Sequence, residues 1–302
     1  MMVINLGSIN VDHVYQVPHF VEPGETLAST GYQQLLGGKG ANQSIALAHA
    51  LANSDETVQH LGLVNEAQCH IKQDLIREQV DCRYVKISEK PTGHAIIQVN
   101  ESGENAIVLF AGANHDIQTD LVQQAIDEAP EGAWLLTQNE TNAIGDAMRM
   151  AKEKGMKVAF NPAPMNDSVK QLPLNLVDLF IVNEVEAEDI SGTRELAQIE
   201  TFFKQHYPNA AVIITLGKAG AVMIKGGERI QVPAFEVEAV DTTAAGDTFI
   251  GYFLASYMKN NNAQKALTQA CAASAIAVTR PGASPSIPKA EEVHAFLEKQ
   301  GG

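Results

Sequence analysis

From about residue 117 the chain alternates helical stretches with short apolar runs, and this alternation restricts its fold more than any other feature. The runs are Ala133-Trp134-Leu135-Leu136, Val158-Ala159-Phe160, Leu179-Phe180-Ile181-Val182 and Val212-Ile213-Ile214-Thr215. Short apolar strands separated by helices are the mark of βαβ units and of a parallel sheet covered on both faces. Each run ends in polar or small residues: Gln138-Asn139-Glu140, Asn161-Pro162, Asn183-Glu184 and Leu216-Gly217. In an open parallel sheet the ligand site lies beyond the carboxyl ends of the strands. Four successive polar ends therefore point to one shared site.

The remainder of the chain fits around that frame. Val3-Ile4-Asn5-Leu6-Gly7 reads as a short strand that runs into Ser8-Ile9-Asn10-Val11-Asp12. Between Val14 and Leu36 the pattern is strand-like but broken by Pro18, Pro23 and Gly24. It then reaches Gly37-Gly38-Lys39-Gly40-Ala41-Asn42, which opens a helix rich in Ala and Leu through Ala52. Thr92 to Asn100, a Glu101-Ser102-Gly103-Glu104 turn and Ala106 to Phe110 read as a β-hairpin. Helices near 246–260, 263–279 and 289–299 close the chain, with no internal repeat and no linker. One α/β domain over 1–302 is the expectation.

Composition narrows the function. With 45% hydrophobic residues the chain can build a sizeable core, and a net charge of −15 argues against nucleic acid or an acidic membrane as main partner. An anionic small ligand is still compatible, because helix termini and a few cations can make a locally positive site. No basic-then-apolar segment opens the chain, and no apolar run approaches a bilayer span. Cys69, Cys82 and Cys271 form no metal-like spacing, and their odd count suits a reducing compartment. The expected location is the cytoplasm.

One stretch offers chemistry: Ala239-Val240-Asp241-Thr242-Thr243-Ala244-Ala245-Gly246-Asp247-Thr248-Phe249-Ile250-Gly251. Small residues just before a helix let the backbone turn tightly and leave the first N–H groups bare. Those groups and the positive end of the helix dipole make an anion site. Asp247 stands at its mouth, where a carboxylate takes a proton from a hydroxyl attacking a phosphate. Asp is also a favoured helix cap, and this stretch alone does not separate the two roles.

The common nucleotide fingerprints are missing. There is no GxxxxGK[ST] and no GxGxxG between the first strand and a helix, while Gly217-Lys218-Ala219-Gly220 has the wrong spacing for either. The glycines at 37–40 would let backbone approach a small ligand, and Lys39 and Asn42 offer donors to its oxygens. Asn10, Asp12 and Glu140 add the mixed donors and acceptors that a polyol requires. A polyol hydroxyl, a phosphate hole and a base between them amount to phosphoryl transfer.

These two anchors, Gly37-Gly38-Lys39-Gly40-Ala41-Asn42 and Asp241-Thr242-Thr243-Ala244-Ala245-Gly246-Asp247-Thr248-Phe249, occur in the order found in the ribokinase-like sugar kinases. The chain resembles that family over essentially its whole length. Its ribose-specific members are matched further by Gly7-Ser8-Ile9-Asn10-Val11-Asp12-His13, by Asn161-Pro162-Ala163-Pro164 and by Ala275-Ile276-Ala277-Val278-Thr279-Arg280. The resemblance implies a three-layer αβα fold with a mostly parallel sheet and a small β-sheet lid, inserted at about 13–35 and 91–112. It implies ATP-dependent phosphorylation of D-ribose at O5, with Mg2+ and a monovalent cation, usually K+.

By the same resemblance Asn10, Asp12, Gly38, Lys39, Asn42 and Glu140 bind the sugar. Asp247 is the base, and Ala244, Ala245 and Gly246 form the hole for the γ-phosphate. Asn183 and Glu186 help place Mg2+ and phosphate, Glu186 indirectly. Thr215, Leu216, Gly217, Lys218, Ala219 and Gly220 belong to the ATP loop, and Cys271 lies near the adenine. Asp241, Thr243, Ala277, Arg280, Gly282 and Ser286 match the loops around K+, largely through backbone carbonyls. The lid implies a homodimer. Other sugars or nucleosides on the same scaffold, or a non-catalytic sugar-binding regulator, are the alternatives.

The family's Gly-Asp-Asp-x-x-Gly turn is replaced by Leu63-Val64-Asn65-Glu66-Ala67-Gln68-Cys69, which puts the local turn in question. The nine histidines show no ligand spacing, and His13 is read as lid packing. The acidic residues of 184–200 read as a solvated helix face.

Overall fold

The computed structural model describes residues 2–52 and 54–301. The chain begins with β1 (Met2–Leu6), β2 (Asn10–Gln16) and β3 (Gly31–Gly37), followed by α1 (Lys39–Ala50). Next come β4 (Thr57–Asn65), α2 (His70–Arg77), β5 (Asp81–Ser88) and the hairpin β6 (Gly93–Val99) and β7 (Asn105–Phe110). α3 (Thr119–Glu128), β8 (Trp134–Gln138), α4 (Ile144–Glu153), β9 (Lys157–Asn161) and β10 (Leu179–Asn183) continue the alternation. After α5 (Glu184–Ser191) and α6 (Leu196–His206), the strands β11 (Ala211–Thr215), β12 (Ala221–Lys225) and β13 (Glu228–Val232) follow. α7 (Ala245–Asn260), α8 (Ala263–Val278) and α9 (Ala290–Lys299) end the described chain.

A nine-stranded sheet in the order β13-β12-β11-β10-β9-β8-β1-β4-β5 forms the middle layer. Strands β11 to β5 in that order pair in parallel, and β12 and β13 add an antiparallel edge. The period-two alternation of each strand sends successive side chains into different cores. Val3, Leu136, Ile181 and Ile213 pack toward α1, α7 and α8. Ile4, Leu135, Phe180 and Val212 pack toward α3, α4 and α6. These are the three expected layers. α7 is buried almost all round, from Thr248 to Met258, because it lies between α1 and α8.

Strand ends differ from the sequence expectation by a residue or so, and α1 stops at Ala50 rather than Ala52. A larger difference is β2, which begins at Asn10 and pairs with both β3 and β6. The strand-like pattern assigned to 14–36 is thus two strands, joined by a stretch holding both prolines. The antiparallel edge β12–β13 and the β4-α2-β5 unit were not legible beforehand.

A separate four-stranded sheet has the order β3-β2-β6-β7. It carries exposed apolar side chains on the outlying hairpin: Ile107, Val108, Leu109 and Phe110 are 48–67% exposed. At its base, Asn65 replaces the Gly-rich turn. Its side chain accepts from the Ala67 N–H at 3.0 Å and donates to the carbonyls of Ser88 and Lys90, each at 3.2 Å. The turn is therefore built by a capping side chain, which also ties down the segment leading into β6.

Candidate active site

Asp247 lies in the first turn of α7, yet it does not cap the helix. The N-cap position is Ala244, in the left-handed region at φ 59°. The Asp247 carboxylate points instead at α1: Asn42 Nδ2 donates to Oδ2 at 3.0 Å and Gln43 Nε2 to Oδ1 at 2.9 Å. Its enclosure in protein drives its pKa up to about 6, against the pull of Lys39, Gln43 and Asn42 and with a further push from Glu140. A carboxylate poised there can exchange a proton near neutral pH.

The helix start beside it is open. Ala245 N–H bonds the Thr242 carbonyl at 3.3 Å and Thr248 N–H bonds Ala244 O at 2.8 Å. The N–H groups of Gly246 and Asp247 find no partner among the described residues. A side chain built at Gly246 would meet nothing within 4 Å, so that space faces open cleft. Bare N–H groups with no Cβ over them form a cradle for an anion.

The cleft holds about 190 Å³ and is lined by Asn161, Asn183 and Thr215 at the ends of β9, β10 and β11 and Glu186 in the first turn of α5, together with Lys39, Ala244, Gly246 and Asp247. Asn183 caps α5, accepting from the Glu186 N–H at 2.8 Å, while Glu186 accepts from the Asn183 N–H at 3.0 Å. Burial raises the Glu186 pKa; the Asn183 N–H and Lys39 oppose the rise and Asp247 adds to it. Leu216, Gly217, Lys218, Ala219 and Gly220 form the turn joining β11 to β12, beyond the enclosed part of the cleft. Cys271 is 6% exposed in the helical core and does not line this cleft.

On the other side of Asp247 stand the polar groups of β2 and the loop after β8. Lys39 Nζ lies 3.6 Å from Glu140 Oε1, and the Lys39 backbone N–H donates to Glu140 Oε2 at 3.2 Å. Burial works against the Lys39 ammonium, but Glu140, Asp247 and Glu186 outweigh it and raise its pKa. Ser8 Oγ donates to Glu140, and Asn114 Nδ2 donates to Asn10 Oδ1 at 2.8 Å. Burial and the Glu140 charge push Asp12 up to about 6, with Lys39 pulling down. Gly38 has φ 92°, which only glycine adopts cheaply, and it carries the chain from β3 into α1 beside these groups. Ser8, Gln43, Asn114 and Ser284, which donates to Asn42 Oδ1 at 3.0 Å, had escaped the sequence reading. Gln43 follows Asn42 directly in the first signature, which was the available signal.

Of the residues expected at the cation loops, Thr243 and Gly282 meet at Asp241. Its carboxylate accepts from Thr243 N–H at 2.8 Å, Thr243 Oγ1 at 2.6 Å and Gly282 N–H at 2.8 Å, so it ties two loops together. Burial favours its neutral form, but these donors outweigh burial and lower its pKa. The Arg280 guanidinium turns away to Glu292 on α9, and Ser286 is buried and bonds the Ala283 carbonyl at 2.7 Å.

A three-layer α/β fold with a carboxylate between a bare helix N-terminus and a polyol-type donor set defines a small-molecule kinase. The sequence matches the pfkB family carbohydrate kinases over residues 2–290. A ribokinase of Haemophilus influenzae is 39% identical over 301 residues, 97% of each chain. The solved ribokinase of Thermotoga maritima superposes with a TM-score of 0.85 at 32% identity, covering 99% of both chains. The Arabidopsis thaliana ribokinase complexed with ribose and ATP gives 0.83 at 26% identity, covering 98% of both chains. The chain belongs to the pfkB family of carbohydrate kinases.

Proposed function

We propose that the protein transfers the γ-phosphoryl group of ATP to O5 of D-ribose. The observation that carries this is the position of Asp247, hydrogen-bonded to Asn42 of the polyol set and adjacent to the bare N–H groups of Gly246 and Asp247. Asn10, Asp12, Gly38, Lys39, Asn42 and Glu140 would hold the sugar hydroxyls. Asp247 would take the O5 proton as the hydroxyl attacks in line. The Ala244–Gly246 turn would present the bare N–H groups of Gly246 and Asp247 to charge developing on the transferred group.

Mg2+ supplies charge neutralisation on the phosphates when bound. The cleft end formed by Asn183 and Glu186 fits it at one remove, because both Glu186 oxygens already accept from Asn183. A monovalent cation would be held by the Asp241 and Gly282 loops largely through carbonyls, since three donors already engage the Asp241 carboxylate. Its role would be to order Ala244 and the anion hole. The exposed apolar hairpin of the four-stranded sheet supports its assignment as a lid that also pairs two subunits. Three unpaired cysteines are compatible with a reducing cytoplasm.

The test is ADP release with Mg-ATP and K+ over ribose, 2-deoxyribose, fructose and adenosine. Highest kcat/KM with ribose is the expected result. Preference for another acceptor would move the substrate and keep the chemistry; sugar binding without turnover by any would overturn kinase activity in favour of a regulator.

A further inference from the structure

Behind Asp247 runs a row of buried amides. Gln43 Nε2 donates to Asp247, and Gln43 Oε1 accepts from Gln138 Nε2 at 2.7 Å. Gln138 Nε2 also donates to Asn5 Oδ1 at 3.0 Å. Asn5 Nδ2 in turn donates to the Gly40 carbonyl and to Ser44 Oγ, each at 2.8 Å. Asn5, Gln43 and Ser44 are fully buried, and Gln138 is 1% exposed.

A primary amide can present either its oxygen or its NH2 to a neighbour, and only NH2 attracts a carboxylate. The polarity of this row is fixed at its far end. A backbone carbonyl can only accept, so Gly40 O requires the Asn5 NH2. That turns Asn5 Oδ1 toward Gln138, which must answer with NH2. Gln43 then meets Gln138 with its oxygen and is left with its NH2 toward Asp247, at 2.9 Å, and toward Asn161 Oδ1, at 3.3 Å. The row begins and ends on α1, crossing β1 and β8 between.

We infer that Asn5, Gln138 and Gln43 act as a polarity relay, in which the Gly40 carbonyl forces a hydrogen-bond donor onto the base through two amides that never touch it. Gln43 and Gln138 are positioning residues for Asp247, and the inference rests on its assignment as the base. The relay carries no charge of its own. The titratable groups acting on Asp247 from the surrounding elements are Lys39 of α1, Glu140 after β8 and Glu186 of α5. Without the Gln43 donor, enclosure of the carboxylate would be opposed only by Asn42 and Lys39.

The experiment measures kcat/KM against pH for the parent, Gln43→Met and Gln138→Met, with Asp247→Asn beside them and the best acceptor of the panel. Loss of one hydrogen bond to a carboxylate should move the acid limb of Gln43→Met up by about one pH unit. Gln138→Met, which touches neither Asp247 nor the cleft, should shift it in the same direction by less. Both should lower kcat at neutral pH, about 2-fold for Gln43→Met as the acid limb moves up by about one unit from about 6, with sugar affinity by calorimetry within about 3-fold as the check on folding. An unchanged acid limb in folded Gln138→Met, with Asp247→Asn inactive, overturns the relay alone, whatever Gln43→Met does. A fully active Asp247→Asn overturns the base, and the relay with it. Should Gln43→Met fail to fold, the shift or its absence in Gln138→Met decides.

Discussion

Asp247 combines two demands that oppose each other. To accept a proton it must be ionised in a partly closed site, and that enclosure raises its pKa to about 6. An ordinary carboxylate titrates near 4. The folded state thus binds this proton more tightly than the unfolded chain does, and ionisation of Asp247 reduces stability as pH rises from about 4 through about 6. Asp247→Asn should lower kcat at least ~10²-fold, the lower range for general-base catalysis. Its unfolding free energy relative to the parent should increase across the same pH window, read by denaturant titrations at pH 4, 6 and 8. A difference that is flat with pH would mean that Asp247 titrates at its ordinary value in the fold. Gly38 is legible in the sequence as a residue needed for its backbone. Gly246 is legible only as one small residue among three before the helix: its φ is ordinary, and why it must lack a side chain appears only when the open space above it is known.

At the scale of the element, α7 contains two glycines with opposite reasons. Gly246 faces open cleft, whereas a Cβ on Gly251 would lie 2.7 Å from the Leu47 amide nitrogen and against Ala46. Replacing Gly by Ala inside a helix gains about 1 kcal/mol from propensity, and forcing atoms into a packed core costs ~1–3 kcal/mol. Gly251→Ala should therefore lower Tm, since backbone of α1 would have to move. Gly246→Ala should fold at least as well as the parent yet raise the KM for ATP, because its methyl group enters the phosphate cradle. Thermal melts with steady-state kinetics on both variants separate the two. Equal loss of Tm in the pair would show that the cradle is not open in solution.

Among the described residues the longest run of exposed large apolar side chains lies on the hairpin of the four-stranded sheet, at Ile107, Val108, Leu109 and Phe110. Contiguous exposed apolar side chains on a sheet mark a contact surface. With pairing through the lid, Val108→Glu should convert a dimer to a monomer in sedimentation velocity while far-UV circular dichroism stays unchanged. A parent protein that is monomeric at micromolar concentration would remove the dimer from the proposal. Among the described residues no helix is long and apolar enough to cross a membrane.

The parallel sheet and the end of it that holds the cleft were present in the sequence, because short apolar runs with polar carboxyl ends, separated by helices, are local patterns. So was the pair of small-residue signatures, whose residues stand together at Asp247, Asn42 and Lys39. The antiparallel edge β12–β13 was hidden, since its pairing depends on the Gly217–Ala219 turn folding back on β11. The choice between cap and base for Asp247 was equally beyond the sequence: both place Asp at a helix start. Only the approach of α1, made possible by Gly251 against Ala46, puts Asn42 and Gln43 where they can turn that carboxylate away from its own helix. Local pattern thus determined the frame and the candidate residues, while packing between helices distant in the chain decided which way the central carboxylate points.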